Sequence, residues 1–295
     1  MSTNQASDPV PVMLTVAGSD PSGGAGVQAD LKTATTLGVY GGAVITSLTA
    51  QNTTGVSGVL PVSASFVVEQ YVSVVTDLNV SAVKIGMLGT ADVAQALAEA
   101  LRQHPVPAVV LDPVMVATSG DRLVPDDTVD AIRQHLLPLA TLITPNLPEA
   151  AALLERELSH DEKAMAAAAL ALQEAGANAV LVKGGHLAGD TSNDVLADSD
   201  GLTWFRSHRI ETANTHGTGC TLSTAIASFL TYPLPLRDAV RHAKNYLTEA
   251  LEAGSRQRLG SGRGPVDHLW QLRTTSGIPS NGRYLQQAAP HRPVF

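Results

Sequence analysis

VMLTVAG, Val12 to Gly18, runs directly into SDPSGGAGVQAD, Ser19 to Asp30. A short Val-bearing apolar run closed by glycine reads as a strand buried on both faces. Gly23, Gly24 and Gly26 then let the backbone approach a ligand closely, and the helix that follows offers free N–H groups and a positive dipole end. The loop is not a Walker A loop, because neither Lys-Ser nor Lys-Thr follows the glycines, and it lacks the full dinucleotide spacing of three glycines. Strand, glycine loop and helix open an α/β unit, and open α/β sheets bind ligands beyond their strand ends.

The same alternation continues outward along the chain. Further apolar runs start at Gly41 (GGAVITSLTA), Ala82 (AVKIGM), Ala108 (AVVLDPVM), Thr141 (TLITPN) and Ala179 (AVLVKGG). Between them, amphipathic patterns predict helices over Phe66 to Leu78, Ala91 to Gln103, Asp127 to Leu137 and Glu162 to Ala175. Strand and helix alternating this often predict an α/β three-layer fold, a central mostly parallel sheet flanked by helices. After Gly185 the pattern changes. Val195 to Ile210, with DSDG at 198–201 as its turn, predicts an antiparallel edge hairpin, and two helices follow, Gly219 to Leu230 and Leu236 to Ala253. One domain over 11–272 is expected, with polar, aperiodic tails at 1–10 and 273–295.

Composition narrows the function classes. The 295 residues include 19 Lys and Arg against 27 Asp and Glu, a formal net charge of −8, and the only cysteine is Cys220. One cysteine makes neither an internal disulfide nor a multi-cysteine zinc site, which favours a reducing, cytoplasmic setting. Net acidity gives nucleic acid and anionic membranes no general attraction, so a small-molecule partner is expected. No run approaches the roughly 18 apolar residues of a membrane span.

Two more segments carry candidate chemistry. In NTHGTGCTLSTAIASFL, from Asn214, the residues Gly217, Thr218, Gly219 and Cys220 stand where a loop becomes a helix, so their N–H groups can line a hole for a developing anion. A thiol in that first turn is expected to have its thiolate favoured by the helix dipole. Asp112 ends AVVLD, and Asn146 and Glu149 lie in TPNLPEA at the close of the next run. A carboxylate and an amide at neighbouring strand ends suit Mg²⁺ bound mostly through water, although Asn146 and Glu149 equally fit a helix capping box. Lys183 places a cation at the same edge; His186 and His216 are as well explained by structure as by chemistry.

Taken in order, AGSDPSGGAGVQADLKT, ITSLTAQNTTGV, KIGML, LDPVMVATSGDRL, LITPNLPEAAALL, LVKGGH, NTHGTGCTLSTAIAS and GPVDHLW closely resemble the hydroxymethylpyrimidine and phosphomethylpyrimidine kinases of thiamine biosynthesis, a branch of the ribokinase superfamily. The resemblance spans about residues 11 to 270. It implies a small flap over the substrate, a homodimer, ATP with Mg²⁺, and two successive phosphorylations: of the 5-hydroxymethyl of 4-amino-5-hydroxymethyl-2-methylpyrimidine, then of the monophosphate. It places the pyrimidine pocket on Gly18, Asp20, Ala25, Asp30, Gln51, Met87 and Val114, the anion hole on Gly217, Thr218, Gly219 and Cys220, the magnesium and phosphate shell on Asp112, Asn146 and Glu149, and the nucleotide side on Lys183. Where most superfamily relatives carry a catalytic Asp this chain has Cys220, which the resemblance makes the candidate base for the first transfer. Where many have a lysine it has Thr118. Pyridoxal kinase, acting on another flat hydroxymethyl heteroaromatic, is the nearest competitor; Gln51 within AQNTTGV favours the pyrimidine. A binding module that has lost catalysis would show an eroded anion hole or acidic shell, and neither is eroded.

Overall fold

The protein is described here by a computed structural model over residues 10–116 and 123–276. Thr118 and nearly all of both expected tails lie outside those residues. The elements are β1 (Val12–Ala17), α1 (Gly26–Thr36), β2 (Tyr40–Ile45), β3 (Ser47–Asn52), β4 (Gly55–Pro61), α2 (Ala64–Val75), β5 (Ala82–Ile85), α3 (Ala91–Gln103), β6 (Ala108–Leu111), α4 (Asp126–Ala131), β7 (Leu142–Ile143), α5 (Leu147–Leu153), α6 (Glu162–Glu174), β8 (Val180–Val182), β9 (Asp194–Asp198), β10 (Gly201–Phe205), α7 (Thr218–Phe229), α8 (Leu236–Gly254) and α9 (Trp270–Ser276).

The main sheet has the strand order 10-9-8-7-6-5-1-2. Strands β2, β1, β5, β6, β7 and β8 run parallel, and β9 and β10 form the expected antiparallel edge, Asp198 facing Gly201 across the turn. Successive strand residues face opposite sides. Leu14, Val16, Val83, Ile85, Val109 and Leu111 pack on the layer of α2 to α6, whereas Met13, Ala82, Val110, Leu142 and Leu181 pack on α7 and α8. This is the three-layer arrangement expected from the sequence. Among the described residues no helix is long and apolar enough to cross a membrane.

The run from Gly41 differs from expectation. It is not one strand: β2 ends at Ile45, and the chain leaves the main sheet for a separate two-stranded hairpin, β3 with β4. The Gln70 side chain of α2 accepts from Ile45 N and donates to Ile45 O, Thr46 N–H donates to Ala17 O, and the Thr46 hydroxyl donates to Met87 O. The backbone there is already satisfied, so the sheet stops and the flap begins.

Candidate active site

The parallel strands send their carboxyl ends to one edge, with β1 the point at which neighbours are reached from both sides, the usual ligand crevice of such a sheet. Gly18 and Asp20 follow β1, Met87 follows β5, Asp112 and Val114 follow β6, Asn146 follows β7 and Lys183 follows β8. The strand period also lines up polar groups beneath that edge. Thr15, Lys84 and Asp112 share the face of Met13, Ala82 and Val110, and all three are buried. Buried polar groups need partners. Asp30 of α1 accepts from Thr15 Oγ1 at 2.6 Å, from Lys84 Nζ at 2.8 Å and from Thr224 Oγ1 of α7 at 2.7 Å.

Above this layer stands the start of α7. Gly217 takes φ +74° as the N-cap, a left-handed conformation that favours glycine, and a Cβ there would run into the Gly24 carbonyl. The Gly217 turn therefore packs directly on the glycine loop after β1. In the first helical turn the helix itself cannot satisfy the N–H groups of Gly219 and Cys220, and Gly219 borders Lys183 Nζ and Asp112 Oδ2. Gly26 N–H lies beside the Cys220 thiol and favours its ionised form; Gly26, at φ +57° and tight against the Gly18 carbonyl, is the first residue of α1.

Asp20 ties the two loops together. Its carboxylate accepts from Ser22 N and Oγ, from Gly24 N and Ala25 N, and from His216 Nε2 at 2.7 Å. Burial works to raise its pKa, but the bonds from His216, Ser22 and Ala25 outweigh that and hold it at about 2. His216 is thus the residue that joins the Gly217 turn to the glycine loop, and its own backbone N–H is anchored on Gly264 O.

On the substrate side, a Cβ on Gly18 would come within 2.5 Å of Met87 Cε and 2.8 Å of Ser47 Oγ. Among the described residues the buried Ser47 hydroxyl has no hydrogen-bond partner. The flap is stitched to the loop by Thr49 N donating to Ser19 Oγ and Thr49 Oγ1 donating to Ser19 O. Half-buried Gln51 sits at the β3 irregularity, its amide oxygen accepting from Thr49 Oγ1.

On the other side, Lys183 Nζ lies 2.7 Å from Asp112 Oδ1 and 3.7 Å from Glu149 Oε2. Asp112 also accepts from Thr144 Oγ1 and Ser223 Oγ. Asn146 and Glu149 complete both halves of a capping box at α5. Glu149 is pushed well above the ordinary carboxylate range by burial, which Lys183 opposes and Asp112 reinforces; burial also raises Asp112, but Lys183 and Lys84 more than offset it and its pKa falls. One ammonium between two carboxylates neutralises only one of them.

Two expectations change. Asp30 is fully buried beneath the edge, with its oxygens engaged by Thr15, Lys84 and Thr224, so it supports the site from below rather than facing a ring. The Cys220 thiol is not lowered by the helix start. Burial pushes it up to about 11, with Asp30 and Asp112 adding to the rise against Lys84 and the Gly26 N–H. The residues that sequence reasoning passed over are Thr15, Ser47, Lys84, Ser223 and Thr224. Lys84 carried a usable signal: a lysine inside a run buried on both faces needs a carboxylate.

A mostly parallel sheet with a hairpin beside one half of its ligand edge, a glycine-capped helix start at the centre and a lysine–carboxylate group beyond defines a small-molecule phosphotransferase of the ribokinase-like class. Residues 20–267 match the phosphomethylpyrimidine kinase family, and the chain belongs to it. It is 53% identical over 258 residues to the hydroxymethylpyrimidine/phosphomethylpyrimidine kinase of Rhizobium meliloti, covering 88% of this chain and 97% of that protein. Among solved structures, the phosphomethylpyrimidine kinase of Clostridium difficile superposes with a TM-score of 0.72 at 38% identity, covering 81% of this chain and 99% of the other. Bacillus subtilis pyridoxal kinase, solved as an ADP complex, superposes at 0.82 with 34% identity, covering 90% and 99%.

Proposed function

We infer that the chain phosphorylates the 5-hydroxymethyl of 4-amino-5-hydroxymethyl-2-methylpyrimidine with ATP and then extends the monophosphate to the diphosphate, in thiamine biosynthesis. The observation that carries this is the seating of the Gly217 turn on the Gly24–Ala25 loop, locked by Asp20 and His216. That seating supports an anion hole beside a pocket floored by Gly18 and Met87. The ring is held by Met87 and Val114 below and by the Gln51 amide, which offers both donor and acceptor to an aminopyrimidine edge. Gly219 and Cys220 N–H groups receive the transferring phosphoryl group.

Asp112 and Glu149 would hold a magnesium ion, largely through water. The donor set fits: oxygen ligands, and a net negative charge left over when one ammonium, Lys183, faces two carboxylates. When bound, the ion neutralises nucleotide phosphates. Asn146 and Lys183 contact the nucleotide. The exposed apolar side chains Tyr40, Leu48, Val59 and Leu60 on and beside the flap offer a face for the homodimer.

In the first transfer Cys220 takes the hydroxyl proton; in the second the attacking phosphate oxygen is already ionised and needs no base. A thiol raised to about 11 is protonated at neutral pH, so the first rate rises with pH through the neutral and mildly alkaline range while the second stays flat. Cys220→Ala lowers the first transfer about 100-fold and the second by less than about threefold, the scale of a lost general base. Product-resolved assays with the pyrimidine and its monophosphate read the ratio, and equal losses would overturn the base assignment.

A further inference from the structure

Lys84 lies inside β5, between Val83 and Ile85, and is fully buried. Its ammonium has three donors, yet among the described residues it donates only to Asp30. The surrounding geometry is a two-rung ladder. Gly26 and Asp30 are four residues apart on α1, and Cys220 and Thr224 are four apart on α7, so each pair shares a helix face one turn apart. The lower rung is the hydrogen bond of Thr224 to Asp30 at 2.7 Å; at the upper rung, one helical turn away, Gly26 N–H lies beside the Cys220 sulfur. Lys84 enters from the sheet at the lower rung.

We propose that Lys84 is a positioning residue whose buried ammonium, fixed by Asp30 where α1 and α7 meet, is the counter-charge that decides whether Cys220 carries a negative charge. The charged groups bearing on Cys220 are Lys84 from β5, Asp30 from α1, Asp112 after β6 and Lys183 after β8. The carboxylates oppose a thiolate. Lys183 lies between two carboxylates, Asp112 at 2.7 Å and Glu149 at 3.7 Å, whereas among the described residues Lys84 has Asp30 alone, at 2.8 Å, which leaves Lys84, with donors in reserve, as the cation that answers to the sulfur. Burial disfavours its own charge, but Asp30, Cys220 and Asp112 restore it and raise its pKa, so it stays charged throughout the working range. In the first transfer the hydroxyl proton passes to the Cys220 thiolate as the oxygen bonds to the γ-phosphorus and the ADP oxygen leaves; the thiol then returns its proton to water. This kinetic consequence rests on the proposed function, but the charge of the thiol can be measured without substrate.

Because Cys220 is the sole cysteine of the chain, thiolate absorbance and iodoacetamide alkylation of the full-length protein report it alone. Lys84→Met moves the thiol titration to higher pH and slows alkylation at fixed alkaline pH by about tenfold or more, one pH unit being tenfold in thiolate. Asp30→Asn removes the same ion pair but a charge of the opposite sign, so it moves the titration down and speeds alkylation. A merely structural ion pair would shift both variants the same way, and that result, or an unmoved titration in Lys84→Met, would overturn the proposal. Where a single variant fails to fold because a buried charge is left unpaired, the double variant Lys84→Met with Asp30→Asn leaves none. If Lys84→Met is the variant that fails, the Lys84 assignment requires that the double variant titrate its thiol above Asp30→Asn; if Asp30→Asn fails, it requires that Lys84→Met titrate above wild type. If the titrations move as expected while both phosphorylations fall equally in Lys84→Met, the Lys84 assignment stands and the role of Cys220 as base does not.

Discussion

Asp20→Asn should loosen the join between the two loops of the site. The wild-type carboxylate is buried to 1% exposure and gathers bonds from Ser22, Gly24, Ala25 and His216. Asn cannot replace it, because its NH₂ must face either the Ser22 N–H at the Oδ1 position or the Gly24 and Ala25 N–H groups at the Oδ2 position, where His216 also bonds. The carboxyl falls from its ordinary 3.8 to about 2 on folding, and at roughly one to one and a half kcal/mol per pH unit the ionised form contributes about 2 kcal/mol at neutral pH. The sign follows from the depressed value: the contribution is complete above the unfolded pKa and is lost as pH falls through the folded one. By pH 3 it has dropped to about 1 kcal/mol. Urea unfolding of wild type and Asp20→Asn at pH 7 and pH 3 should therefore show a stability gap that roughly halves, with a melting temperature lowered by about 5 °C at pH 7. A pH-independent gap would mean that the loss is one of packing, and no gap at pH 7 would refute the reasoning altogether.

Gly217→Ala places a Cβ against the Gly24 carbonyl in a left-handed turn and should cost both phosphorylations about 100-fold, the scale of a lost anion-hole donor; single-turnover rates within about threefold of wild type would show that the turn does not hold the transferring group. Gln51→Leu removes the amide at the mouth of the flap and should raise KM for the pyrimidine about tenfold with KM for ATP unchanged, the worth of one or two hydrogen bonds. An unchanged pyrimidine KM would move the ring away from β3.

The parts of the fold that sequence made legible are those governed by local periodicity. The predicted helix Ala91 to Gln103 matches α3 residue for residue, and DSDG closes the β9–β10 hairpin because Gly201, at φ +98°, takes the conformation such a turn demands. Local periodicity fails at Ile45, where a side chain from α2, 25 residues later, satisfies the strand's backbone and releases the flap. It fails again in the helix expected over Asp127 to Leu137. There α4 ends at Ala131 and the chain passes through a π turn over Ile132–Leu136 into a single 3₁₀ turn bearing Pro138, which lacks the N–H that a continuing helix needs.

The site divides in the same way. Its glycines and loops were legible because backbone chemistry is local: Gly217, Gly24 and Gly26 can be recognised wherever a strand or loop meets a helix. The pairings that hold those loops in place are not local. Asp20 and His216 are 196 residues apart, Asp30 and Thr224 are 194 apart, and Lys84 and Asp30 are 54 apart. What can be read is the need for a partner, not its identity. Ala82, Val83 and Ile85 are all buried, so the lysine between them must also face the interior, and an ammonium there is tolerable only against a carboxylate. Asp30, set four residues after a helix-start glycine on the inward face of α1, has the complementary need. The energetic demand was therefore present in the sequence at both ends, and only the folded sheet, which sets β5 beside β1 and under α1 and α7, determines that each answers the other. The same placement makes the proposed base depend on groups it never touches in sequence: removing Lys84 or Asp30 should change Cys220 in opposite directions, although both substitutions break one and the same ion pair.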